Sequence, residues 1–140
     1  MAPTTAGSCL CGTVEFQVFG DFESFYFCHC RRYQEVTGSA HSANLFSTTA
    51  TVNWVSGQEF IQTYHLPDTR FEKSFCKRCG SAGPTAQMEG ALLVVPAEII
   101  DGVIDIPPSS HIFFSSRADW GTRSENAPKF AGPPRQVCKR

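Results

Sequence analysis

Between Gly12 and Gly20 the chain reads GTVEFQVFG, with Val14, Phe16 and Val18 on one side of the alternation and Thr13, Glu15 and Gln17 on the other. A period of two predicts a half-buried antiparallel strand, because successive side chains of an extended backbone point to opposite faces. Further β-rich runs follow: ESFYFC, AHSANLF, TVNWV, EFIQTYHL, RFEKSFC, ALLVVP and HIFFSS, separated by Gly, Pro, Asp and Ser at fairly even intervals. Branched and aromatic residues punctuated in this way predict a mainly β chain of antiparallel strands. Helix is expected only as short turns. RRYQEVTG lacks breakers and ends at Gly38, a natural residue for the position after a helix, and PAEIIDG suits one further turn. IPPSSH and GPPRQ read as proline-rich connections. The C-terminal third carries Phe113, Phe114, Trp120 and Phe130, and so many rings predict that this segment packs on the sheet.

A length of 140 residues fits a single domain, 1–140, with 41% hydrophobic and 18% charged residues and a formal charge of −1. That balance gives no reason to expect nucleic acid as a partner. No apolar run approaches the roughly 18 residues of a membrane span. The start MAPTTAGSC has neither a basic n-region nor an apolar h-region. The chain is therefore read as soluble and cytoplasmic, without a membrane partner, and the pattern leaves the oligomeric state open.

Cysteine usage changes the picture. Seven cysteines are many for a compartment that keeps thiols reduced, where close pairs more often hold metal than form disulfides. Six fall into pairs, Cys9/Cys11, Cys28/Cys30 and Cys76/Cys79, and Cys138 is read as a free thiol near the C-terminus. SCLCG and FCKRCGS each place two thiols at a turn, and the CxxC followed by Gly80 is a zinc-knuckle signature. Two such turns can close tetrahedrally on Zn²⁺ with no open position, making a structural site. Four thiolates would leave the cluster at −2, which Lys73, Lys77 and Arg78 are placed to offset. The competing readings are ordinary buried thiols or a redox pair, and the latter wants a βαβ context that is absent here.

Taken together, GSCLCGTVEF, CHC, GSA at Gly38 to Ala40, FCKRCGS, and HIFFSSRADW with PKF resemble the glutathione-dependent formaldehyde-activating enzymes. That family is grouped with the centromere protein V domain and has an Mss4-like fold of antiparallel sheets. The pieces run from Gly7 to Phe130. The resemblance implies a structural zinc at Cys9, Cys11, Cys76 and Cys79. It also implies a second, catalytic zinc held by a central CxCxxC that basic residues usually follow. Cys28 and Cys30 match that motif, but Tyr33 stands at the third position and Gln34 and Glu35 follow.

A zinc with three thiolates keeps one position open, where a thiol such as that of glutathione can bind and attack an aldehyde. If 31–38 is helical, position 33 lies three residues from Cys30 and on the same face. A phenol with a reference pKa near 10 is a poor replacement ligand there, so zinc affinity at Cys28/Cys30 should fall. His29 would face away from its neighbouring cysteines, His41 and His111 are candidate pocket histidines, and Glu35 suits a solvated helix face. Arg31, Arg32, Arg117 and Arg123 are candidates for glutathione carboxylates. The implied activity is that of a carbon–sulfur lyase acting on a small electrophile or thiol adduct, of the S-hydroxymethylglutathione type, with Cys28, Cys30 and Tyr33 catalytic. Two alternatives stay open. One is zinc-free thiol and phenol acid–base chemistry on another small molecule; the other is a non-catalytic binding module.

Overall fold

The computed structural model describes residues 3–134; Cys138 lies outside the described residues. Eleven strands and one helix follow in the order β1 (Thr4–Ser8), β2 (Glu15–Phe19), β3 (Ser24–Cys28), α1 (Arg31–Thr37), β4 (Ser42–Ser47), β5 (Thr51–Ser56), β6 (Ile61–His65), β7 (Glu72–Cys76), β8 (Ala82–Gly83), β9 (Thr85–Gln87), β10 (Leu92–Pro96) and β11 (Ser110–Ile112). They form three sheets, ordered β1-β2-β5, β11-β3-β4-β10-β9 and β6-β7-β8. Their pairings are antiparallel except for β11 beside β3, which is parallel. Among the described residues no helix is long and apolar enough to cross a membrane.

The alternation of the second strand sets the core. Val14, Phe16 and Val18 are buried, and Phe16 and Val18 meet Phe25, Leu45, Leu93 and Val95 from the five-stranded sheet. The two sheets thus bury their apolar faces against each other, as half-polar strands must in water. A smaller cluster of Cys9, Val14 and Cys76, backed by Trp54, Phe60 and Ile61, ties the first sheet to the third.

Helix α1 ends at Gly38, which sits at φ 64° and donates its N–H to the Gln34 carbonyl. Glycine reaches this left-handed conformation without the steric cost of a Cβ. PAEIIDG forms the expected turn, a 3-10 turn at Ala97–Ile99. β1 has no alternation to betray it: TTAGS becomes a strand because it pairs along the whole of β2.

One expectation is overturned. Phe113, Phe114, Trp120 and Phe130 do not pack on the sheet; all four are exposed, Phe130 at 68%. Among the described residues no strand follows Ile112, so nothing lays these rings against an apolar face. Phe113 takes a left-handed backbone at φ 52°, and the 3-10 turn Phe114–Ser116 follows it. That reversal brings only the edge of the Phe114 ring onto His29.

Candidate functional site

Two loci carry chemistry. At the first, the turn between β1 and β2 presents Cys9 and Cys11, and the turn after β7 presents Cys76 and Cys79. Their four sulfurs lie within 4.8 Å of one another. Backbone amides close both turns: Gly12 N–H donates to the Cys9 carbonyl at 3.1 Å, Gly80 N–H donates to the Cys76 carbonyl at 2.8 Å, and Leu10 N–H reaches Ser81 Oγ across the two turns at 2.8 Å. Val14 N–H donates to Cys9 Sγ at 3.3 Å. Hydrogen bonds from Ser81 hold the Cys79 thiol down to about 5, so thiolate is already favoured at that corner. The Thr13 hydroxyl, 3.2 Å from Cys11 Sγ, also lowers the Cys11 thiol. An all-sulfur donor set this compact, with amide and hydroxyl groups turned toward sulfur, fits a closed metal site. Arg78 lies near this cluster and donates to Thr13 Oγ1 at 3.3 Å. Lys73 does not. It points away, and its ammonium donates to the Val36 carbonyl at 3.0 Å.

At the second locus, β3 delivers Cys28 beside Ser42 of β4, and Cys30 caps α1. Gln34 pins the start of the helix, its amide donating to the His29 carbonyl at 2.7 Å and to the Ser116 carbonyl at 2.9 Å. One turn on, Tyr33 points between Phe71, which its ring meets edge-on at 5.1 Å, and the buried Asn44. Burial pushes the Tyr33 phenol up to about 12, with the Cys28 and Cys30 sulfurs adding to the rise and the Asn44 amide opposing it. Burial likewise pushes the Cys28 thiol up to about 11. Both groups are neutral at ordinary pH.

A second metal does not fit these donors. Among the described residues no third histidine, cysteine or carboxylate joins Cys28 and Cys30 within ligand reach. The group at the third position is a phenol that holds its proton tightly, which makes it a poor zinc ligand.

Tyr33 borders a cavity of about 240 Å³ between α1, the outer face of the five-stranded sheet and β7–β8. Ser42, Asn44, Thr85 and Val94 floor it, Val36, Pro96 and Ile99 supply apolar wall, and Glu72, Lys73, Gln87 and Glu98 stand around it. His41 also borders it. Sequence alone does not place Lys73 or Asn44 here. A usable signal existed for the second: in SANLFS, Ser42 and Asn44 are polar on consecutive same-face positions of a strand that is buried on that face.

Beside the cavity, with His41 shared between the two, the histidines gather into a cluster. The His29 ring is 3% exposed and turned away from the sulfurs. It packs at 4.9 Å from His41, 5.0 Å from His111 and 5.1 Å from Phe114. His29 Nε2 and His111 Nδ1 share a hydrogen bond of 2.8 Å, and His29 Nδ1 is buried without a partner. His41 donates from Nδ1 to the Ser42 carbonyl at 3.0 Å. Of the arginines, Arg31 pairs with Glu35 on the outer face of α1 and Arg117 lies over the Phe114 ring at 4.5 Å. Arg31, Arg32, Arg117 and Arg123 are absent from the cavity wall.

Comparison with known proteins completes the site. No curated protein matches the chain. A crystal structure of a Rhodobacter sphaeroides protein superposes with a TM-score of 0.56 at 21% identity, covering 76% of this chain and 98% of that one, which is a likeness of fold. The profile of the family described as glutathione-dependent formaldehyde-activating enzyme matches residues 4–116. That span takes in both cysteine turns, the Cys28 to Tyr33 segment and every strand of the three sheets, and the chain belongs to the glutathione-dependent formaldehyde-activating enzyme family.

Proposed function

We propose that this family member is a carbon–sulfur lyase-type enzyme that makes or breaks a small thiol–aldehyde adduct in the cavity beside Tyr33, without a second metal. The observation that carries this reading is the neutral, half-buried Tyr33 phenol standing where the family's third thiolate would be, at the wall of the cavity. In the cleavage direction the adduct's hydroxyl loses its proton to water as the carbonyl forms. The carbon–sulfur bond breaks, its electron pair leaves with sulfur, Tyr33 Oη–H steadies that sulfur by donating a hydrogen bond, and water supplies the proton that sulfur takes. In the reverse direction the thiol adds to the aldehyde and the same protons retrace the path. An O–H donor held at a reacting atom that gains negative charge can contribute about 10²–10³-fold. Cys28 and Cys30 act on the phenol through charge, since any negative charge on them would raise it further.

The four-sulfur cluster is assigned to zinc in this reading, because an all-thiolate closed set is the zinc choice among common ions. Its role is to hold the first and third sheets together, and no chemical step passes through it.

The test compares Tyr33→Phe with wild type on an aldehyde and thiol pair, following adduct formation and decay by proton NMR. Turnover in Tyr33→Phe should fall at least a hundredfold while the melting temperature moves by only a few degrees. An unchanged rate would dispose of the phenol's role. Tyr33→Cys should acquire a second metal equivalent over wild type, and a wild type that already holds two would refute the metal-free reading.

A further inference from the structure

The cavity is small for the ligand that the family description names. Pockets for drug-sized molecules usually span roughly 300–1,000 Å³, and this one is about 240 Å³. Its charges also run the wrong way for a peptide thiol with two carboxylates. Lys73 is the one cation on the described wall, against Glu72 and Glu98, and its ammonium is already engaged with the Val36 carbonyl. The arginines that would clamp carboxylates stand elsewhere: Arg31 is on the opposite face of α1, paired with Glu35, and Arg117 is stacked on Phe114. Recognition of carboxylate wants a cation; the Glu72 carboxylate is partnered by His65 at 3.4 Å, and Glu98 remains to penalise a second negative charge. What the wall does offer is apolar surface from Val36, Val94, Pro96 and Ile99, with uncharged polar points at Tyr33, Asn44 and Gln87.

We infer that the cavity selects small, uncharged, mostly apolar thiol adducts and their carbonyl partners, and discriminates against glutathione. The inference rests on the cavity beside Tyr33 being the reaction site, as proposed above. Such a ligand buries its alkyl part on the apolar wall and turns a hydroxyl or carbonyl oxygen toward Tyr33 and Asn44, leaving no charge to be stripped of water.

Binding is measured first, with ligands that cannot react. The neutral thioether 2-(methylthio)ethanol and S-methylglutathione are titrated against the wild-type chain by NMR, observing the amides of 33–44 and 85–96. The neutral thioether should shift these amides and bind at least tenfold more tightly than S-methylglutathione, and Gln87→Trp, which narrows the mouth, should weaken it. Glu98→Gln should reduce the discrimination against S-methylglutathione. Turnover is then compared between the hydroxymethyl adducts of 2-mercaptoethanol and of glutathione, with kcat/KM at least tenfold higher for the first. Tighter binding of S-methylglutathione, equal binding of the two, or no binding by either overturns the inference and leaves the Tyr33 chemistry to its own test. If the neutral thioether binds as expected but neither adduct turns over, the ligand class stands and the proposed reaction falls.

Discussion

Replacing Cys76 by alanine separates two accounts of the four-sulfur cluster. If the sulfurs are ordinary buried thiols, the change removes one small side chain that is 1% exposed, and the loss is that of a small core truncation, about 1–2 kcal/mol. For a chain of this size that lowers the melting temperature by roughly 2–8 °C per kcal/mol. If the sulfurs hold an ion, the stake is far larger. Structural zinc in small domains contributes apparent values of about 10–16 kcal/mol near neutral pH, while whole domains are stable by only about 5–15 kcal/mol. The geometry favours the second account, because the cluster joins turns that only a few other contacts connect: the Leu10 to Ser81 hydrogen bond and the small core of Cys9, Val14 and Cys76. Cys76→Ala should therefore lose its metal and its cooperative thermal transition together, and a strong chelator should do the same to wild type. Metal content by mass spectrometry and unfolding by circular dichroism check both. Wild-type protein that stays folded and melts unchanged after the metal is stripped, or a Cys76→Ala chain that merely melts a few degrees lower, would refute the reasoning.

Gly57 sits at φ 74° with the Thr13 carbonyl pressed against the place a Cβ would occupy, so Gly57→Ala should cost more than about 2 kcal/mol in urea unfolding; a change within 0.5 kcal/mol, about the usual range at surface positions, would contradict the geometry. His111→Phe leaves the buried His29 Nε2 without its 2.8 Å partner and should cost about 1–3 kcal/mol. Combining it with His29→Phe should recover part of that loss, and a strictly additive double-mutant cycle would show that the pair is not coupled. The Thr48 hydroxyl donates to Glu23 at 2.8 Å and holds its carboxyl below its ordinary range. A depressed folded-state value means the stabilisation is complete above the ordinary carboxylate range and disappears as the pH falls through the lowered value. Glu23→Gln should accordingly flatten the acid limb of the stability–pH curve, and an unchanged limb would place the acid sensitivity elsewhere.

The local grammar of the chain was enough to specify much of the fold. Val14, Phe16 and Val18 alternate with polar neighbours, and a strand with one wet face has no other way to bury them. The cysteine turns were legible for a similar reason: ligand spacing within each pair is a short-range property, and a closed ion needs two such pairs. Tyr33 was readable as the odd residue in its motif, and a short helix puts it on the face of Cys30. What lay beyond reach depended on partners distant in the chain. TTAGS is a strand only because β2 lies beside it. Phe113, Phe114, Trp120 and Phe130 look like core by composition, yet no strand carries them to an apolar face, and they remain in water. Lys73 could be assigned to the sulfur cluster three residues away until the pleat of β7 turned it to the opposite side, where it meets Val36.

By itself, then, the sequence determined the strands with a strong β pattern, though not β1, β8 or β9, which thiols sit in close pairs at turns, and that the third position of the central motif holds a phenol, since each of these follows from residue chemistry over a few positions. Tertiary structure alone decided that the phenol is half-buried at a small cavity with more carboxylates than cations around it. Burial, charge balance and cavity size are sums over elements far apart in the chain, and no local pattern records them.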